Sequence, residues 1–342
     1  MVKFIKFFLA NRKFRVKINN FISDLFDILC SVPQGSVLGP LLFLVFIMDI
    51  PLANSLNKSY SALFADDLGS IFIFTRKELK KVEVEIKKYL ESLVKWLFKW
   101  RLKMNASKCC YTIFSSKGRS GISLDLLLNN ELIPYNSNPV FLGIKFDEHL
   151  NFNAHCVSLR ERALKRLNII KIFSHKSWHL NKSTLINIYR SLIGSIFDYS
   201  FFIVASCSET SLDSLQRVQN RAVRCIFKLR YDSRTDELFP LSGVLPLEAR
   251  FVQLGSRYLL KAKRYGNKFT MLLVSEYIRS YSAITAKKLK EINKKYDKKK
   301  KIKLSTPLCM FLTMIAITQC FLIILALNIL SFRIFLFDLL YF

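Results

Sequence analysis

The sequence predicts an α+β fold: short strands backed by helices over residues 1–150, then a helical region over 151–265. Three observations carry this. Apolar and polar residues alternate at Phe14, Val16 and Ile18, and β-like runs flank Asp66-Asp67, as in half-buried hairpins. From Asn153 to Tyr265 the apolar spacing changes to the helical period. Beyond a basic linker over 266–303, an apolar tail over 304–342 closes the chain. Its residues 308–327 are long enough to cross about 30 Å of hydrocarbon as a helix.

Taken in order, residues 12–30 read as a strand, a turn at Asn19-Asn20 and a returning strand from Phe26 to Cys30. Ser31 to Gly39 is a loop with glycines at 35 and 39, and Leu41 to Ile50 is an apolar helix stopped by Pro51. Tyr60–Ala65 and Ser70–Phe74 are strands around an Asp-Asp-Leu-Gly turn. Thr75 with Glu78 forms a capping box for a helix whose apolar face is Val82, Ile86, Tyr89, Leu90, Leu93, Leu97 and Trp100. Cys110–Phe114 and Pro139–Phe146 are further strands. Helical stripes follow over 153–174, 181–205, 208–230 and 246–265, the first three as antiparallel neighbours joined by short loops.

Composition narrows the partners. The chain is 51% hydrophobic with 30 Phe, enough for a sizeable core. It carries 53 Lys+Arg against 25 Asp+Glu, a formal charge of +28. Only Arg333 and Asp338 are charged beyond Leu304, so the excess lies upstream and points to a polyanion, either nucleic acid or an acidic membrane surface. The alternative reading of the lysine excess is the codon usage of an AT-rich genome. Residues 287–303 hold ten Lys against Glu291 and Asp297, a block expected to be solvated and to stay on the cytoplasmic side of a spanning tail. The eight Cys form no Cys-x-x-Cys pair and no zinc spacing, which reads as thiols in a reducing compartment. The N-terminus has too short an apolar run for a signal peptide. His175 and His179 read as ordinary helix-surface residues, and Cys109-Cys110 as a strand pair.

The chemistry centres on Asp66 and Asp67. Nucleotidyl transfer uses two divalent ions about 4 Å apart, held by a few carboxylates on a rigid frame. A tight hairpin with adjacent Asp residues supplies such a frame, and strand alternation makes the two inequivalent, with Asp66 the direct ligand. In the preceding loop Gln34 offers a donor and an acceptor, Gly35 and Gly39 allow close backbone approach, and the helix start near Leu41 suits a phosphate.

Ser31 to Pro51 (SVPQGSVLGPLLFLVFIMDIP), followed by Phe64-Ala65-Asp66-Asp67, resembles the core of non-LTR, LINE-type retrotransposon reverse transcriptases, nearest the jockey-like group. Trp100 to Asn105 through Lys108, Phe141-Leu142-Gly143-Ile144, Leu185 to Tyr199, Leu215 to Ala222 and Leu245-Pro246-Leu247 extend the likeness over roughly residues 4–265. It implies an RNA-directed DNA polymerase: a partial fingers and right-hand palm, then a thumb-like helical region. Asp66 and Asp67 would bind catalytic Mg²⁺, Gln34 and Gly35 would meet template and nucleotide, and Lys108 would lie near the triphosphate as an acid. Arg160, Arg162, Lys165, Arg166 and Lys171 would face the backbone of an RNA template and DNA primer. The location implied is intracellular, nuclear or cytoplasmic.

The likeness also has departures. The family carries a further catalytic Asp in a strand upstream of the Pro-Gln-Gly loop, and here only Asp24 and Asp27 precede that loop, both in the expected hairpin. Met48 stands where the family often has Asn, and the tail is outside the family pattern. These departures imply a truncated copy, inactive alone. A basic nucleic-acid-binding remnant and a membrane-anchored protein without polymerase activity are the alternatives.

Overall fold

The structure is a computed structural model that describes residues 1–28, 31–33, 35–53, 59–115, 122–264 and 332–341. The chain begins with a helix, α1 (Val2–Leu9), and two nested ribbons. In the outer ribbon β1 (Lys13–Phe14) pairs with β4 (Phe26–Asp27); in the inner one β2 (Lys17–Ile18) pairs with β3 (Phe21–Ile22). Asn19 takes φ 51° at the inner turn, a left-handed conformation that Asn tolerates. The expected strand–turn–strand is therefore present, split into two short ladders.

Helix α2 (Gly39–Ile47) follows with Pro40 in its first turn, where the missing N–H costs nothing. Its residues are apolar on every side, so the burial is uneven: Ile47 enters the core while Leu41, Leu44 and Val45 stay exposed. β5 (Ser59–Phe64) and β6 (Asp67–Phe74) form the central hairpin. The capping box is made as expected, Glu78 Oε2 accepting from the Thr75 N–H at 2.8 Å. It closes a 3₁₀ turn that leads into α3 (Leu79–Lys99). That helix buries Val82, Ile86, Tyr89, Leu90, Leu93 and Leu97 as the periodicity predicts, with Trp96 added and Trp100 left at the rim.

β7 (Lys103–Met104), β8 (Cys110–Phe114) and the ribbon of β9 (Leu127–Leu128) with β10 (Glu131–Leu132) complete the first core. Pro139–Phe146 is a hairpin and not one strand: β11 (Val140–Phe141) turns at Leu142-Gly143 into β12 (Ile144–Lys145). Both turn residues have positive φ, 48° and 74°, as the two-residue turn that matches strand twist requires. Gly143 supplied that signal in the sequence.

The second region is helical. α4 (Asn153–Phe173) packs against α8 (Glu209–Phe227). Between them run α5 (Lys182–Tyr189), a π-helical turn (Arg190–Gly194), α6 (Ser195–Tyr199) and α7 (Phe201–Ser206). α9 (Thr235–Ser242), which the periodicity did not reveal, and α10 (Leu247–Arg264) follow. Arg250 clamps Asp198 through Nε and a terminal nitrogen, at 2.6 Å for the shorter contact, and fastens α10 to α6. His175 and His179 flank a 3₁₀ turn (Lys176–Trp178), His179 in the left-handed region, so they do not share a helix face. Cys109 is buried and ends a 3₁₀ turn, and Cys110 opens β8. Cys156 and Cys207 lie 3.1 Å apart as thiols between α4 and α7.

A third apolar cluster joins the two regions. Ile71 and Ile73 of β6, Phe114 of β8, Phe141, Phe146 and Phe152 meet Ile203 of α7. The hairpin that bears the paired Asp is thus held against α3 on one side and against the helical region on the other.

The proposed membrane-spanning residues 308–327 lie outside the described residues, as does the basic linker. Among the described residues no helix is long and apolar enough to cross a membrane. The described end of the apolar tail is a strand, β13 (Phe332–Tyr341). It lies in the middle of the sheet, in the order β5-β6-β13-β7, with β8 also paired to β13. All of its pairings are antiparallel.

Candidate active site and basic cleft

The register Phe64↔Asp67 leaves only Ala65 and Asp66 in the turn. The turn therefore lies earlier than the expected Asp-Asp-Leu-Gly: Asp66 is at the tip, and Asp67 opens β6. The two carboxylates are inequivalent, as strand alternation requires. Ala65 adopts φ 53°, where a Cβ costs about 1–2 kcal/mol. Replacing Ala65 with Gly is accordingly expected to raise stability by up to about 1 kcal/mol, because removing Cβ strain outweighs the added chain entropy. A thermal melt reads this, and an unchanged or lower midpoint refutes it.

Below the tip the hairpin is held by hydroxyls. Ser61 and Ser70 face each other at 2.9 Å across the ladder, and Ser70 meets the Tyr89 hydroxyl of α3 at 3.1 Å. Ser61 also accepts from the Ala53 N–H at 2.9 Å, and Ser59 donates to the Ala53 carbonyl. The segment after α2 is thereby tied to the hairpin. Burial raises the pKa of Asp67, and the Asp66 charge beside it raises it further. Such a pair gains from a cation between its members.

Upstream, the Pro-Gln-Gly loop is closed by Ser36. Its hydroxyl donates to the Pro33 carbonyl at 2.7 Å and accepts from the Gly39 N–H at 3.0 Å. A Cβ on Gly39 would sit 3.0 Å from both Pro33 O and Ser36 Oγ, so glycine is required there by close approach. Gly35 is exposed with φ 78°. Gln34 lies outside the described residues. Lys108 is exposed at the end of a 3₁₀ turn (Ala106–Lys108) after β7, capped by the Asn105 side chain. β7 and Asp67 lie on opposite sides of the same end of β13, so Lys108 and the Asp pair share one end of the sheet. Asp24 and Asp27 are exposed in the N-terminal ribbon, and Asp27 pairs with Lys13 at 3.8 Å.

One acidic residue near the pair escaped the sequence reading. The β13 register puts Leu339 opposite Asp67 and Asp338 opposite Leu68, one row away. No local signal reveals such a pairing, because it joins positions far apart in the chain. Among the described residues no group of three metal-ligating side chains is assembled. Two hard carboxylates on a rigid turn nonetheless match Mg²⁺, which takes one or two carboxylates together with substrate phosphates.

The five basic candidates separate. Lys165 and Lys171 line a cleft of about 750 Å³ between α4 and α8. Facing them are Arg217, Arg221 and Arg224, with Tyr231 at the edge, 87% exposed, and among the described residues no acid lines the cleft. Arg166 instead donates to the Leu192 carbonyl at 2.6 Å, and Arg160 and Arg162 are exposed outside the cleft lining. The three arginines were missed although their i, i+4, i+7 spacing marks one helical face.

The chain is similar in sequence to known proteins. Residues 3–146 match the family described as Reverse transcriptase (RNA-dependent DNA polymerase). The chain is similar to the Probable RNA-directed DNA polymerase from transposon BS of Drosophila melanogaster, 27% identical, covering 76% of this chain and 29% of that protein. It is similar to the RNA-directed DNA polymerase from mobile element jockey of the same organism, 25% identical, covering 79% and 30%. The Probable RNA-directed DNA polymerase from transposon X-element, also of Drosophila melanogaster, is 25% identical over 79% and 29%. The chain thus spans about 30% of the length of these curated relatives. No solved structure gives a significant match. Mixed short strands and helices, the Asp66-Asp67 hairpin and these likenesses together show a reverse transcriptase domain that resembles those of jockey-like non-LTR transposons.

Proposed function

We propose that the chain carries out, or contributes to, RNA-directed DNA synthesis, with Asp66 and Asp67 as its metal-binding carboxylates. The observation that carries this is the two-residue turn presenting two adjacent, half-buried Asp residues, one with a raised pKa. Residues 1–150 act as fingers and palm, and 151–265 as the thumb. Bound Mg²⁺ supplies the charge that activates a primer 3′-hydroxyl and neutralises a triphosphate. Asp66 and Asp67 hold that charge at the turn. Gln34 and Gly35 lie against template and nucleotide, and Lys108 gives a proton to the departing pyrophosphate as the new phosphodiester bond forms.

The full chain, given an RNA template with an annealed DNA primer, is expected to extend the primer with Mg²⁺ and to stop with chelator. No extension at excess protein, with the template–primer bound, would overturn the polymerase assignment in favour of the copy inactive alone that the departures from the family pattern imply.

The cleft between α4 and α8 supports the thumb role, because five cations without an acid form a sequence-independent backbone contact. Arg221→Glu is expected to weaken binding at any sequence and to lower the salt slope of log Kd by about 1. Anisotropy titrations over a salt series read this. An unchanged slope would remove Arg221 from the interface.

A further inference from the structure

We propose that Cys156 and Cys207 form a redox-responsive site, at which a peroxide converts the thiol pair to a disulfide that clamps the end of α7 to the start of α4. The inference concerns chemistry away from the Asp66-Asp67 turn and does not depend on whether the chain extends a primer.

Proximity is the first argument. The two sulfurs lie 3.1 Å apart and share a hydrogen bond, although 51 positions separate them in the chain. A bond between them needs a further approach of about 1 Å. Nothing local in the sequence marks the pair, since neither member belongs to a Cys-x-x-Cys motif.

Placement is the second. Cys156 lies in the first turn of α4, its N–H donating to the Phe152 carbonyl at 3.0 Å. That turn is fixed from two sides. The Asp147 carboxylate accepts from the Asn151 and Phe152 N–H groups, and Ser211 of α8 donates to Asn153 Oδ1 at 3.2 Å. Cys207 is instead the residue at which α7 ends, with extended backbone at φ −70° and ψ 169°. Its sulfur can cover the remaining distance without breaking a helix. Cys156 is 1% exposed and Cys207 is half-buried, so a small oxidant reaches the pair through Cys207.

Chemistry is the third. The shared hydrogen bond lowers the pKa of Cys156 against the effect of burial, and the same bond together with burial raises that of Cys207. The pair therefore gives up one proton more readily than an isolated thiol and holds the other, which passes between the sulfurs. The Cys207 thiolate attacks one peroxide oxygen, the O–O bond breaks, and a sulfenic acid and hydroxide result. The Cys156 sulfur then attacks the sulfenic sulfur. The S–S bond forms, the S–O bond breaks, and the departing hydroxide leaves as water with the Cys156 proton. Both sulfurs are oxidised, and the peroxide is reduced to two waters.

The bridge closes a loop that contains α5, the π-helical turn and α6. Cys207 also packs against the apolar cluster of Ile71, Ile73, Phe114 and Ile203, which joins the two regions. Closure thus tightens the helical region where it meets the sheet. In a reducing compartment the pair stays open, and an oxidising episode closes it.

The full-length chain is treated with a small excess of hydrogen peroxide and quenched with catalase. Free thiols are blocked in denaturant, and the peptides are mapped without reduction. The expected product is a monomer with a 156-to-207 bridge. Its thermal midpoint should lie at least about 5 °C above that of the reduced chain and return with dithiothreitol. Cys207→Ser, treated alike, should form no such bridge and show no rise. Two intact thiols, or a sulfinic acid at Cys207, overturn the proposal, as does a bridge from either sulfur to any other cysteine. A 156-to-207 bridge with no rise in midpoint overturns the clamp. Mapping and melting use the unsubstituted chain, so poor folding of Cys207→Ser leaves both results standing.

Discussion

Asp66→Asn is expected to lower primer extension by the full chain at least 100-fold while leaving template–primer affinity within about twofold. A hundredfold loss corresponds to about 2.7 kcal/mol of transition-state stabilisation. Asn keeps the size of the side chain and removes the charge, and the turn is held elsewhere, through Ser61, Ser70 and Tyr89. The fold should therefore survive. Asp67→Asn should have the smaller effect, because the Asp67 carboxylate already lies in the first row of β6, opposite Phe64, while Asp66 occupies the tip. Asp66→Asn also removes the charge that, after burial, raises the Asp67 pKa. Single-turnover extension across the two variants decides the order. Equal losses would make the two carboxylates equivalent ligands. Full activity in Asp66→Asn would remove this hairpin from the chemistry altogether. Because affinity is measured alongside, a failure of binding and a failure of catalysis are separable.

The parts of the fold legible in the sequence are those whose signal is local. The α3 face was readable because seven buried positions repeat at the helical period, and its start because Thr75 and Glu78 cap each other. The paired Asp were readable because turn chemistry and flanking β-branched and aromatic residues agree. What the sequence concealed is non-local. The turn sits at Ala65-Asp66 because the Phe64↔Asp67 register decides it, and the Leu68-Gly69 pair, which looks like turn material, is buried in β6. The cleft cations come from two helices separated by α5, α6 and α7, so half of the cleft was visible on α4 and half went unseen on α8. The clearest case is β13. An apolar run at the end of a chain has the same local signature whether it crosses a bilayer or fills a two-faced gap in a sheet. For residues 332–341 the distinction lies in their pairing with the buried strands β6 and β8, which are far away in the chain.

His155 makes stability depend on pH in a way the sequence did not suggest. The ring is 2% exposed on α4, its Nδ1 accepts the Lys145 N–H at 3.3 Å, and its Nε2 is buried with no hydrogen-bond partner among the described residues. Burial, and secondarily the Arg162 charge, lower its pKa to about 4. The folded chain thus holds this imidazole neutral, while the unfolded chain protonates it below about pH 6.5. Protons bind preferentially to the unfolded state between those values, so stability falls as pH falls from about 6.5 to about 4. The full loss is about 3 kcal/mol, of which about 2 is reached by pH 5. Below pH 4 this group contributes no further change. Carboxylates titrate in the same window, so the measurement is a difference. Urea midpoints of the native chain and of His155→Gln are compared at pH 7 and pH 5. Gln keeps an acceptor near the Lys145 N–H but carries no proton equilibrium. The variant is expected to be less stable than the native chain at pH 7 and to lose about 2 kcal/mol less between the two pH values. Parallel pH dependences would show that His155 is hydrated in the folded chain, and that β12, which carries Lys145, does not seal it against α4.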